Sequence, residues 1–389
     1  MTPPNLDLDE IRSLARKGDS DAQYRLACIY GEGTYVKQDL AQAAFWSRKA
    51  AEQGHIIAQF DLAVVLQKGE GVAQDKAEAV YWYQLAATQG FAWAQVGLAH
   101  AYSTGTGVEQ NDVEAVYWYR QAAEQDIATA QRSLGLAYKL GRGTTQDYEQ
   151  AKYWYERAAQ LGYAPAQFGL GLLWEDGKGV ESSFVTAAQW YKRAAEQGYA
   201  DAEFYLGLCY EEGTGVEQDD ELALYWYHKA ADQNDAEAQY EVGRSYEEGR
   251  GAAVDLSEAL RWYRKAAEQG NVDAQVRVAW FYYKGKGVAR DYAEAHRWIS
   301  EAAKQGDTLA QRLIGWYHER GFIAEKNYEQ AFAWYLKAAE QDDIEAQYDV
   351  GRCYERGRGV DVDAEKALLW YGKAAQQGHL DAMVKVSAM

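Results

Sequence analysis

Cysteine is almost missing from this chain: Cys28, Cys209 and Cys353 are the only three in 389 residues. That excludes a disulfide-stapled scaffold and favours a reducing compartment; the three read as small buried hydrophobes. Proline occurs three times, twice at positions 3 and 4, so no proline-rich linker exists. Low-complexity segments are lacking too. No run of 18 apolar residues occurs, so no transmembrane helix is expected. The N-terminus carries no apolar stretch of the signal-peptide kind. The expected location is therefore cytoplasmic for the chain as written, or periplasmic if a leader was removed. Positive charge is in short supply: 40 Lys and Arg face 59 Asp and Glu, a net charge of −19. Such a surface disfavours nucleic-acid backbones and anionic membranes.

Chemistry is equally thin. The histidines, His55, His100, His228, His296, His318 and His379, never fall two to a helical turn, and none stands beside cysteine at ligand spacing, so no metal site is expected. His318 is expected to pack against the following helix. Loops reading GEGV, GTGV and GKGV lack the G-x-x-x-x-G-K-[ST] pattern and no strand precedes them, which argues against nucleotide binding. The acidic run Asp219-Asp220-Glu221 suits a helix start, not a calcium loop. Serine is scarce and no nucleophile has a recognisable base. The expectation is a protein that is not an enzyme and needs no cofactor.

What the chain does have is a period. Ala22 recurs as Ala58, Ala94, Ala130, Ala166, Ala202, Ala238, Ala274, Ala310 and Ala346, every 36 residues without insertion or deletion, and Ala382 opens an unfinished copy. A fixed period of this size marks a solenoid, in which each unit buries its apolar face only by stacking on its neighbours. The predicted organisation is a tail and capping helix over 1–21, ten repeats over 22–381 and a partial helix over 382–389. The first cap is read as a lone second helix over 5–17, and Gly18 falls in register with the other helix ends. The whole reads as one elongated domain. The cysteines then lie in repeats 1, 6 and 10, too far apart to pair.

Within the copy that starts at Ala130, positions 1, 5 and 9 (Ala130, Leu134, Tyr138) make one helical stripe; this is helix A. Position 6 is Gly or Ala, expected to let two helix backbones approach. Position 12 is Gly in all ten copies, from Gly33 to Gly357, and position 14 is Gly in eight, as a helix stop and loop require. Position 18 is Asp, Asn or Ser throughout (Asp39, Asp75, Asn111 and their equivalents), a row of N-caps. Seven copies add Glu or Gln three residues later, such as Glu78 and Glu294, a capping-box pattern. Helix B follows, with Ala, Trp, usually Tyr, and Ala at positions 22, 25, 26 and 29, as in Ala151, Trp154, Tyr155 and Ala158. The invariant Trp is expected to be the buried stripe. Position 33 is Gly, or Asp126, Asn234 or Asp342, ready for a left-handed C-cap.

The motif A-x-x-x-L-G-x-x-Y-x-x-G-x-G-V-x-x-D-x-x-x-A-x-x-W-Y-x-x-A-A-x-Q-G resembles the Sel1-like repeat, a relative of the tetratricopeptide repeat, over residues 22–381. The resemblance implies an all-α, right-handed superhelix of helix pairs, with helices A on the concave side and helices B on the convex side. It also implies a non-catalytic scaffold or adaptor, mostly in bacteria, whose partner is another protein or peptide. Cysteine-rich members carry a disulfide per repeat, and this chain departs from them. An alternative role is an inhibitor or immunity protein that wraps a secreted toxin enzyme, as some Sel1-like proteins do.

Residues that break the repeat on the expected concave face are the candidate binding site. Positions 10 and 11 are Glu175-Asp176, Glu211-Glu212 and Glu247-Glu248 in repeats 5 to 7, an acidic mid-section. Repeats 7 to 10 bring Arg244, Trp280, Trp316 and Arg352 at position 7, Lys284, Arg320 and Arg356 at position 11, and Tyr283 and Arg312 nearby. Trp, Tyr and Arg are the residue types most enriched at binding hot spots. The expectation is a groove for a segment of mixed acidic and aromatic character whose basic part lies over Glu211, Glu212, Glu247 and Glu248.

Overall fold

Glycine and N-cap punctuation sets the architecture. The computed structural model describes residues 7–322 and 324–388, and among them every regular element is a helix. All ten position-12 glycines sit in the left-handed region, with φ between 63° and 78°, and each ends a helix A. All ten position-18 side chains accept a hydrogen bond from an N–H in the first turn of helix B. Helix B then ends at position 33, where Asp126, Asn234 and Asp342 take positive φ of 59°, 71° and 65° in place of glycine.

The chain divides into two units, Met1–Gln197 and Gly198–Met389. The first carries α1 (Leu8–Arg16), α2 (Ser20–Glu32), α3 (Leu40–Glu52), α4 (Ile56–Lys68), α5 (Lys76–Thr88) and α6 (Ala92–Thr104). It continues with α7 (Asp112–Ala123), α8 (Ala128–Leu140), α9 (Tyr148–Gln160), α10 (Ala164–Asp176) and α11 (Phe184–Ala195). The second carries α12 (Ala200–Glu212), α13 (Asp220–Asp232), α14 (Ala236–Glu248), α15 (Leu256–Glu268), α16 (Val272–Lys284) and α17 (Tyr292–Lys304). It ends with α18 (Thr308–Arg320), α19 (Tyr328–Ala339), α20 (Ile344–Arg356), α21 (Ala364–Gln376) and α22 (Leu380–Ala388). Even numbers are helices A and odd numbers from α3 are helices B. Within each unit every helix packs on its sequence neighbours, the wiring of an α-solenoid. The N-terminal cap stands as α1, with Ile11 and Ala15 against Ala22 and Leu26; the ends of the expected capping helices, residues 5, 6 and 389, lie outside the described residues. No helix among the described residues is long and apolar enough to cross a membrane.

Four local expectations change. Position 6 admits a ring as well as a backbone: a Cβ on Gly171 would stand 2.3 Å from the Tyr191 ring, and one on Gly207 2.6 Å from that of Tyr227. The deepest side chain of helix B is accordingly the position-26 tyrosine. Tyr191, Tyr227, Tyr263, Tyr335 and Tyr371 are among the largest fully buried residues. The position-25 tryptophans stand one residue further round the helix. Trp82, Trp154, Trp262 and Trp298 are buried, whereas Trp118, Trp190, Trp226 and Trp334 are half-buried. Their outer faces carry cations, with Lys265 Nζ 3.7 Å from the Trp262 ring centre and the Arg193 guanidinium 4.6 Å from that of Trp190. The capping boxes form by half. The N–H groups of Asp39 and Asp75 already donate to Tyr30 and Leu66 carbonyls at 2.9 and 3.0 Å. Glu78 instead takes Arg48 and the Trp82 indole, both at 3.1 Å. Cys209 and Cys353 are buried, but Cys28 is only half-buried.

A glutamine ladder runs through both units. The residue after each repeat's first alanine is Gln in nine copies and Glu203 in the other, and it is buried in all ten. Gln23 Nε2 donates to Ala15 O and Gln59 Nε2 to Ala51 O, both at 3.1 Å, reaching back to the previous helix B. Their Oε1 atoms accept from Gln53 and Gln89 at 2.7 and 2.8 Å. A buried amide satisfied on both sides holds neighbouring repeats in register. The fourth copy has Leu161 where the others have this second glutamine. Gln131 Oε1 is consequently buried without a partner, and Leu161 is 55% exposed. Leu161→Gln is therefore expected to raise stability by about 0.5–1.5 kcal/mol, read as a higher urea midpoint at unchanged m-value. A neutral or lower midpoint would show that the Gln131 carbonyl is already satisfied.

Candidate partner-binding site

The candidate residues of repeats 6 to 10 lie on α12, α14, α16, α18 and α20, and the ion pairs between successive helices A sort them. Glu211 accepts the Tyr227 hydroxyl at 2.6 Å and pairs with both Arg244 and Arg250. Arg244 also reaches Glu241 at 2.6 Å, and Arg250 Nε reaches Glu248 at 2.9 Å. The same assembly returns three repeats later. Glu319 accepts from Tyr335 at 2.9 Å, Arg352 at 2.8 Å and Arg358 at 2.7 Å, and Arg352 pairs with Asp349 at 2.9 Å. Glu247 takes the Tyr263 hydroxyl at 2.8 Å and stands 3.8 Å from Arg277. Glu355 takes Tyr371 at 2.9 Å and pairs with Lys385.

These contacts set the ionisation. Burial alone would raise the carboxyls of Glu211 and Glu319, but the tyrosine hydroxyls and paired guanidiniums outweigh it and hold both below the ordinary value. Burial wins at their neighbours, where Glu241 is pushed up to about 7 and Asp349 to about 6. Burial followed by the facing carboxylate drives the Tyr227 hydroxyl far above its usual range, so it stays a donor.

Arg244, Arg352, Glu211 and Glu247 are thus engaged inside the molecule, and the expected acidic mid-section is largely neutralised there. Glu212 and Glu248 are exposed, the first beside Thr214 Oγ1 at 3.2 Å. Arg320 and Arg356 are exposed as well. His318 meets the preceding helix: its ring centre lies 6.0 Å from that of His296 on α17.

Repeat 8 breaks the pairing of a helix-A glutamate with a helix-B tyrosine. It has Tyr283 and Ile299 at those two positions, and there a pocket of about 740 Å³ opens within the second unit. Tyr283 is its hub, with ring centres 5.6 Å from Trp316, 6.2 Å from Tyr317 and 5.9 Å from Phe322. Trp280, Tyr240, Val276, Leu309 and Leu313 complete the apolar wall. Arg277, Lys284 and Arg312 line it, facing Asp273 and Asp349. The structure therefore brings together Trp280, Tyr283, Lys284, Arg312 and Trp316 and leaves the other candidates outside the pocket. Glu241, Arg250, Arg277, Glu319, Asp349 and Arg358 escaped sequence reading. For Arg250, Glu319 and Arg358 the signal is a charge complement 33 or 39 residues away, one repeat minus or plus about one helical turn, as in Glu211 with Arg244 and Arg250.

Comparison with known proteins agrees with this architecture. The chain is similar to c5321, a protective antigen present in uropathogenic Escherichia coli strains that displays an SLR fold. The two are 38% identical, with a TM-score of 0.76, over 98% of this chain and 82% of that one. It is also similar to a Sel1 repeat protein from Oxalobacter formigenes, 33% identical with a TM-score of 0.64, over 80% of this chain and 90% of that one. Among curated proteins none matches. The Sel1 repeat model matches ten successive segments, from 20–55 to 344–379, nine of them two residues ahead of the alanine register and the third, 94–127, starting on it. With ten matching repeats over nearly its whole length, the chain belongs to the Sel1 repeat family.

Proposed function

We propose that this protein is a non-catalytic interaction scaffold that seats a segment or surface of another protein against its helices A in repeats 7 to 10. Sel1-repeat proteins generally mediate protein–protein interaction. The observation that carries the assignment to these repeats is the aromatic pocket at repeat 8. Elsewhere in the second unit the same positions are filled by a carboxylate, half-buried or buried, and a tyrosine that complete the packing. Repeat 8 gives up that pair and leaves five aromatic rings, Tyr240, Trp280, Tyr283, Trp316 and Tyr317, around open space. Half-exposed Trp and Tyr beside Arg match the composition of binding hot spots.

The test compares three forms of the protein as bait in native lysate, with captured proteins identified by mass spectrometry. Wild type and a variant of the opposite helices, Tyr81→Ala with Tyr117→Ala, are expected to retain the same specific protein. Trp280→Ala with Arg312→Gln is expected to lose it. Arg352→Ala is a poor probe, because it strips Glu319 and Asp349 of a shared cation. Retention by the pocket variant together with loss by the Tyr81 variant would move the interface to helices B.

A further inference from the structure

We infer that the repeat-8 pocket is an anchor site for an acidic peptide segment, one bulky aromatic or aliphatic side chain flanked by carboxylates. This rests on the scaffold reading and specifies its partner. The apolar half of the argument is the cavity itself. Its volume suits one large side chain with adjacent backbone, and its wall is Trp280, Tyr283, Trp316, Leu309 and Leu313.

The charged half comes from which cations are spent and which are not. In the flanking networks Arg244 and Arg352 each hold two carboxylates. Around the pocket the cations are loosely held. The ion pair of Arg312 with Asp343 spans 3.8 Å, beyond hydrogen-bond length. Arg277 likewise stands 3.8 Å from Glu247. Lys286 Nζ lies 4.1 Å from the centre of the Trp280 ring and Lys284 Nζ 5.2 Å from that of Tyr283. Asp349, one of the two acids in the lining, is already paired with Arg352. The rim is therefore a cationic patch in a chain of net charge −19. Guanidinium groups fork onto carboxylates, and ammonium groups resting on the indole and phenol rings can turn to meet acids on either side of an anchor.

The proposal is tested by panning a library of linear 12-residue peptides displayed on phage against the full chain. Recovered sequences are expected to carry Trp, Phe, Tyr or Leu flanked by Asp or Glu. Synthetic copies should bind about thirtyfold more weakly to Arg312→Gln with Lys286→Glu, a rim variant that leaves the aromatic wall intact. Trp280→Ala should weaken binding as much, provided its circular dichroism matches wild type. Affinity should fall with added salt. Recovery of basic sequences that lose binding to Trp280→Ala would overturn the acidic-partner inference and leave the scaffold reading in place. Sequences indifferent to both variants, or none recovered above a blank support, would overturn the pocket assignment. Binding of free indole alone, with no peptide preference, would make the cavity a small-molecule site and overturn it too.

Discussion

Glu319→Gln is expected to destabilise the second unit by about 2–4 kcal/mol at pH 7, more than an ordinary surface substitution. Its carboxylate is the meeting point of Tyr335, Arg352 and Arg358, with only 10% of its side chain exposed. Glutamine keeps an acceptor but loses the charge, which leaves Arg352 with Asp349 and takes from Arg358 the carboxylate it pairs with. Removing one member of a buried pair costs about 3–5 kcal/mol. Arg352 and Arg358 remain partly in water, which lowers that figure. Glu211→Gln removes the same hub three repeats earlier, and its cost should match. The two sites share no partners, so the double variant should lose the sum. The measurement is urea unfolding of the three variants, or hydrogen exchange if the repeats unfold in stages. A loss below roughly 0.5 kcal/mol would place these pairs with ordinary surface salt bridges.

The sign of the pH dependence follows. A carboxyl held below its unfolded value adds stability at pH above that value, about 4.3 for glutamate. This stability is lost as pH falls through the folded value. The deficit of Glu319→Gln against wild type should accordingly shrink below about pH 4. Asp349 and Glu241 act in the opposite sense, because burial raises them to about 6 and about 7. They take up protons in the folded state first, so acidification from neutral pH towards about 4 strengthens their contribution. A deficit that grew with acid would contradict the assignment of Glu319 as the charged hub.

The fold was legible because its determinants are local. A glycine needing positive φ, an Asp, Asn or Ser cap six residues on and an alanine that opens each repeat act locally, and each recurs ten times. The site was legible only in part. Trp280, Tyr283, Arg312 and Trp316 stand out as breaks in a period, and they do line one pocket. Glu211 and Arg244 stand out the same way, yet they neutralise each other across the repeat boundary. Reading each repeat alone hides that pairing. The glutamine ladder is hidden for a related reason: a polar residue in a helix reads as solvated unless its partners, 8 and 30 residues away, are considered together. In sequence the Trp reads as the core because it is invariant and large. The narrower Tyr ring beside it is what fits over the small residue at position 6.

Trp154→Ala is expected to cost about 3–5 kcal/mol. The indole is 4% exposed within the cluster that joins Leu134, Tyr155 and Leu170, and Tyr153 meets it edge-on at 5.0 Å. Alanine would leave a cavity in the middle of three stacked repeats, where the neighbouring helices cannot close in without breaking their own caps. The indole N–H is buried without a partner, so Trp154→Phe removes an unsatisfied donor while keeping most of the ring. That variant should lose less than about 1.5 kcal/mol. Trp316→Ala should cost less than Trp154→Ala, because Trp316 is half-buried and rests on Phe322 and Tyr283 at ring distances of 4.8 and 5.6 Å at the edge of an open pocket. Solenoid stability is a sum of nearest-neighbour terms, so the Trp154→Ala loss should be local. Hydrogen exchange should show lost protection in α8, α9 and α10 and little change in α20. Equal losses from Trp154→Ala and Trp316→Ala would make Trp316 a core residue. The pocket wall would then be a packing element, and the anchor site would have to rest on Trp280 and the rim cations alone.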